Sequence, residues 1–121
     1  MRYEILIYNN AECEAAILGE HREELDKTHA AVLAELSASG ELVASDELSQ
    51  DAAVVVRTSV DEPHLLRRTD GPFSEAKEWV GGFYLVDCVS MDRAVEIAGR
   101  FIEARWSPVE VRQLVHFDPA A

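Results

Sequence analysis

His29, Asp70 and Lys77 are the side chains of this sequence best suited by type and surroundings to move a proton or hold a charge. On a projection at about 100° per residue, Leu18, Leu25, Val32 and Leu36 form one apolar stripe, and His29 falls within it. An imidazole so placed is aimed at whatever the stripe packs against. Two readings follow: a core histidine satisfied by one hydrogen bond, or a base or proton shuttle at the edge of a pocket between helix and sheet. His21 falls at the edge of the same stripe, and His64 and His116 have no assigned role. No histidine pair has the spacing of a metal site.

Asp70 opens the run Asp-Gly-Pro-Phe, residues 70 to 73. Asp-Gly is turn chemistry, with a carboxylate able to bond backbone amides, and Phe73 is placed to drop into the core. Glu75, Lys77 and Trp79 follow, and then Gly81-Gly82, a pair that lets backbone approach something closely. A carboxylate, a lysine and an aromatic ring beside such a pair can line a small polar pocket. They can equally form an exposed loop anchored by one tryptophan.

These residues must be positioned by strands and helices. Arg2 to Tyr8 reads as a strand, with Tyr3, Ile5 and Ile7 on one side and Glu4, Leu6 and Tyr8 on the other. Asn9-Asn10 signals a turn. A long helix is expected from Glu14 or Gly19 to Ser39, closed by Gly40. Strands are expected at Leu42 to Leu48, Ala53 to Thr58, Leu65 to Thr69, Gly82 to Cys88 and Val109 to His116. Ser90 caps a second helix from Met91 to about Ala104, and Pro108 ends that segment. No repeat or linker interrupts the chain, which reads as one domain over residues 1 to 121.

The order of elements predicts an α+β fold: a ferredoxin-like antiparallel sheet with two helices on one face. Ile5-Leu6-Ile7, Val54-Val55-Val56 and Phe83-Tyr84-Leu85-Val86 are apolar on both sides. The second face of the sheet therefore needs a cover. A second copy of the chain in a twofold homodimer supplies one; long loops around Asp61 to Phe73 are the alternative.

Composition narrows the partners. Of 121 residues, 48% are apolar, and 23 acids against 11 bases give a net charge of −12. Such a surface repels phosphate backbones and anionic membranes, so neither nucleic acid nor membrane is expected as a partner. Cys13 and Cys88 show no redox or metal-ligand spacing and are expected to be free thiols. No signal sequence or membrane span is visible, so a cytoplasmic location is expected.

The stretch "TDGPFSEAKEWVGGFYLVDCVSMDRAVEIAGR", followed by "SPVEVRQL", closely resembles the DGPF-domain branch of the YCII-related family. So does the opening "YEILIY" strand with a helix bearing His29. The resemblance covers nearly the whole chain. One departure is Gln113, where many relatives carry proline at the end of the strand. The resemblance implies a ferredoxin-like homodimer of the dimeric α/β-barrel type. The family's activity is mostly unassigned, and one distant branch is linked to dehalogenation of aromatic compounds. By resemblance, His29 would be the family's histidine and Asp70 its aspartate.

Two functions from different classes result. The first is a cofactor-free lyase or isomerase acting on a small molecule. His29 would be its general acid/base, oriented or tuned by Asp70, with Lys77 or Arg2 holding an anionic group and Tyr8, Trp79 and Phe83 forming an apolar wall. The second is a non-catalytic small-molecule-binding or protein-interaction module that acts as a dimer.

Overall fold

The computed structural model describes residues 1–71 and 77–116. In chain order the elements are β1 (Arg2–Asn9), α1 (Ala11–Leu18), α2 (Arg22–Ser39), β2 (Leu42–Glu47), β3 (Val54–Arg57), β4 (Arg67–Asp70), β5 (Trp79–Asp87), α3 (Met91–Ala98), a 3-10 turn (Ile102–Arg105) and β6 (Val109–Gln113). The fold is α+β, as expected. Four strands form one sheet in the order β2-β5-β1-β6, every neighbouring pair antiparallel. This sheet is open rather than a closed barrel. β3 and β4 pair separately as an antiparallel two-stranded sheet.

Alternation along the central strands decides what is inside. Tyr3, Ile5 and Ile7 of β1 lie opposite Val86, Tyr84 and Gly82 of β5 and Gln113, Val111 and Val109 of β6. This face carries the core: Val32 and Leu36 from α2, and Ala94, Ile97 and Ala98 from α3, with Phe101 beside them. Burying the larger of these, Val32, Leu36, Ile97 and Phe101, stabilises the fold by roughly 1.5–3 kcal/mol each. Leu6, Phe83 and Leu85 fall on the other face, where they are half-buried among Glu4, Tyr8, Asp46, Glu110 and Arg112. Burial there pushes the Glu4 carboxyl above its ordinary range. The described loops thus leave that face mixed, with an apolar centre and a charged border.

The single long helix expected before Ser39 is two helices. Asn10 caps α1 by accepting from the Cys13 amide at 2.8 Å. Gly19 then leaves helical geometry (ψ −126°), where a Cβ would sit 2.9 Å from the Ala15 carbonyl oxygen. Leu18 therefore belongs to α1 rather than to the stripe of α2, and it is 63% exposed. Val32 and Leu36 keep their predicted place in the core, with Leu25 half-buried. Gly40 ends α2 in the left-handed region (φ +78°), its amide donating to the Leu36 and Ser37 carbonyls.

The helix expected to reach Ala104 stops at Ala98. Gly99 is a poor helix former, and Phe101 adopts extended backbone (φ −75°, ψ 126°). The chain re-enters as the 3-10 turn, which buries both Ile102 and Glu103. Ser90 caps α3 as read, accepting from the Arg93 amide at 3.2 Å. Both cysteines are buried free thiols. No described helix is long and apolar enough to cross a membrane.

Arg93 ties α3 to the end of α2. Its guanidinium donates to both carboxylate oxygens of Glu41, at 3.0 and 2.8 Å, and to Glu96 at 2.6 Å. The bidentate contact with Arg93, aided by Ser39, pulls the Glu41 carboxyl down to about 2 from its ordinary 4.5. A folded-state value below the unfolded one stabilises above the unfolded value and loses that contribution as pH falls. We therefore expect Arg93→Met to be less stable than wild type by about 1 kcal/mol at neutral pH. The gap should close between pH 4.5 and about 2, as urea unfolding across that range would show.

Candidate functional site

His29 is positioned by α2 and faces the sheet, as its place in the stripe predicted. Both of its ring nitrogens are engaged. Nδ1 lies 2.8 Å from the Tyr84 hydroxyl on β5, and Nε2 lies 2.8 Å from Glu103 Oε2 in the 3-10 turn. Phe101 stacks on the imidazole at 5.0 Å between centroids, and Tyr84 packs against Phe101 at 4.6 Å. Three elements distant in sequence thus clamp one ring. Glu103 is only 7% exposed, and the imidazole retains 24% side-chain exposure.

The proton arrangement follows from the partners. An ionised Glu103 accepts from Nε2–H, which leaves Nδ1 to accept from the Tyr84 hydroxyl. If His29 gains a proton, Nδ1–H donates instead and the phenol hydrogen is released to another acceptor. Burial above all pushes the Tyr84 phenol above its ordinary range. The nearby Glu103 charge adds to this, while Ser45, opposite it in the ladder, pulls the other way. Tyr84 is therefore a neutral hydrogen-bond donor at physiological pH. Glu103 Oε1 is buried with no hydrogen-bond partner among the described residues.

These groups border a cavity of about 400 Å³ between α1, α2 and the β2–β5–β1 edge. His29, Tyr84 and Glu103 lie on its inner side, Ile17, Leu25 and Leu33 on the helix side, and Ser45 and Glu47 on the strand side, where Asp46 borders it although alternation turns its side chain to the opposite face. Gly81 and Gly82 line it too, which accounts for the glycine pair. Gly82 is in register with Tyr84 and Val86 on the helix-facing side, and the β2 backbone comes so close that a Cβ there would lie 3.1 Å from the Asp46 carbonyl oxygen. Gly81 falls where the β1–β5 register slips between Ile7 and Tyr8.

The other predicted site residues are dispersed. Asp70 is exposed at the end of β4, in the separate two-stranded sheet. The ring nitrogens of His29 are taken by Tyr84 and Glu103, so the structure does not join Asp70 to His29. The family resemblance carried the expectation for Asp70, and the β3–β4 pairing holds it in the separate sheet. Pro72, Phe73 and Glu75 of the quoted motif lie outside the described residues. Tyr8 borders the main cavity and, with Lys77, Glu78, Pro108 and Glu110, a second, shallow concavity of about 410 Å³. There the Tyr8 hydroxyl already donates to Glu110 at 3.0 Å. Trp79 is half-buried, and its Nε1 is buried without a partner among the described residues. Phe83 borders the main cavity between Gly82 and Tyr84, though alternation assigns its side chain to the opposite face. Arg2 pairs with Asp87 at the far end of β1.

Sequence reading missed Tyr84 and Glu103. Glu103 had a signal, a lone carboxylate inside Phe101-Ile102-Glu103-Ala104, but an unbroken helix gave it no direction. Tyr84 looked like one more apolar strand residue. Among the described residues no group of three or more His, Cys, Asp or Glu side chains is placed to hold a metal ion.

A four-stranded antiparallel sheet with helices on one face, and a histidine held between a tyrosine and a buried glutamate beneath them, places the chain among small α+β domains. It belongs to the YCII-related domain family, whose family model matches residues 1–118. An uncharacterized protein of Rhizobium meliloti (strain 1021) is 34% identical over 122 residues, covering 98% of this chain and 96% of that protein.

Removing the imidazole strands the Glu103 carboxylate in the interior. His29→Leu should therefore cost about 1–3 kcal/mol, and the paired change His29→Leu, Glu103→Leu should cost less than the sum of the two single changes. Thermal unfolding of the four proteins closes the cycle. Strict additivity would mean that the two groups are not coupled.

Proposed function

We propose that this protein, of the DGPF branch of its family, is a cofactor-free lyase or isomerase for a small molecule bound in the 400 Å³ cavity. One observation carries the reading: the chain Tyr84–His29–Glu103, with both contacts at 2.8 Å on the wall of that cavity. A base oriented by a carboxylate and hydrogen-bonded to a hydroxyl is an arrangement suited to proton transfer. In this role Tyr84 delivers or accepts a proton at the substrate, His29 exchanges it, and Glu103 fixes the imidazole and balances its charge. The role first given to Asp70 passes to Glu103.

The second reading is a non-catalytic binding module. It is favoured by the same contacts, because both imidazole nitrogens are already satisfied within the chain and neither is left for a substrate. Turnover assays on small aromatic and lactone compounds separate the two. The catalytic reading expects a rate that His29→Leu and Tyr84→Phe each lower by about 10²-fold or more. Ligand-induced stabilisation with no turnover would establish the binding module instead.

We further propose a ferredoxin-like homodimer built on the open face. The β6-β1-β5-β2 order supports the plan, and the half-buried centre of Leu6, Phe83 and Leu85 supports the contact. Sedimentation equilibrium should give twice the chain mass for wild type and the single mass for Leu85→Lys. A monomeric wild type would remove the dimer.

A further inference from the structure

We infer that the cavity beside His29 selects small positively charged molecules with an apolar body, amines above all; this rests on reading the cavity as a ligand site. Its charged lining is almost wholly acidic. Glu47 stands at the β2 side, Asp26 at the α2 side and Glu103 within. Among the described residues the lining holds one guanidinium, Arg22, and Asp26 pairs with it at 3.3 Å. The surrounding field has the same sign, since the chain carries −12. Such a mouth concentrates cations and repels anions.

Acidic rims are common on acidic proteins, and the buried group carries the argument further. Glu103 is more than nine-tenths buried, lines the cavity, and has one carboxylate oxygen bonded to His29 and the other to nothing described. A buried acceptor without a donor is costly. The described side chains around it supply no donor, and an ammonium group in the cavity would. An ammonium also gains from Glu47 as it enters, while its apolar body lies along Ile17 and Leu25. Recognition of an anion by Lys77 or Arg2 finds no support here, since neither residue borders this cavity.

The test uses the full chain and three probes of one shape: 2-phenylethylamine, 2-phenylethanol and phenylacetate. Calorimetry and thermal shift should show the amine binding about tenfold or more tighter than the alcohol or the acid, with its affinity falling as salt is raised. The change Glu47→Gln lies on an exposed position and should weaken the amine about threefold while leaving the alcohol unchanged. Glu103→Gln should cut the preference for the amine to the roughly threefold that the rim supplies. Should Glu103→Gln fail to fold, the rim variant and the salt series decide. Equal or tighter binding of the alcohol or the acid, lost in His29→Leu, would overturn the charge preference and leave the cavity as a ligand site. No binding of any probe, or binding indifferent to His29 and to the rim, would overturn both.

Discussion

The pairing of β1 with β5 is the constraint on which the rest of the structure depends. Eight residues of β1 meet their partners on β5 in one antiparallel ladder, and the pleat then leaves little freedom. With Ile5 opposite Tyr84 and Ile7 opposite Gly82, every helix-facing position is assigned. A shift of one residue would send Tyr84 to the open face and bring Phe83 in. The cavity floor, the aromatic packing on Phe101 and the partner of His29 all depend on that register.

The His29 clamp shows how a polar group is kept inside a mostly apolar layer. A buried carboxylate is tolerated where it is paired and hydrogen-bonded. Among the described residues Glu103 has one such contact and an oxygen left over, an incomplete solution of the kind that concentrates at sites with work to do. The stack on Phe101 fixes the plane of the imidazole, and the contacts at its two nitrogens fix the rotation within that plane. The ring is thus oriented without a ligand, so little rearrangement would be needed for the proposed proton transfer.

Features governed by local chemistry were legible in the sequence. Gly40 and Ser90 act where their types predicted, and the alternation of β1 chose the buried face. His29 faces the sheet because three turns of apolar spacing say so. Other features depended on where the chain stops being regular. Gly19 divides what reads as one helix, because a single glycine in an otherwise helical run is a weak signal. The early end of α3 redirects Glu103 inward, and no spacing rule foretells the direction of a residue beyond a helix end. The place of Asp70 was illegible for a related reason. Its turn chemistry was visible, but the destination of that turn depends on whether β4 pairs with β3 or joins the main sheet.

The central strand also sets the order in which this chain can assemble. β1 is an inner strand, yet its neighbours on either side come from residues 79–87 and 109–113. As the chain is made, its most deeply placed strand emerges first and waits for both edges to be covered. Contacts between distant segments must accumulate against loop-closure entropy before the sheet rewards them, which makes nucleation slow. Until β5 arrives, Ile5-Leu6-Ile7 is an apolar run with two open edges, the part of the nascent chain most prone to pair with the wrong neighbour.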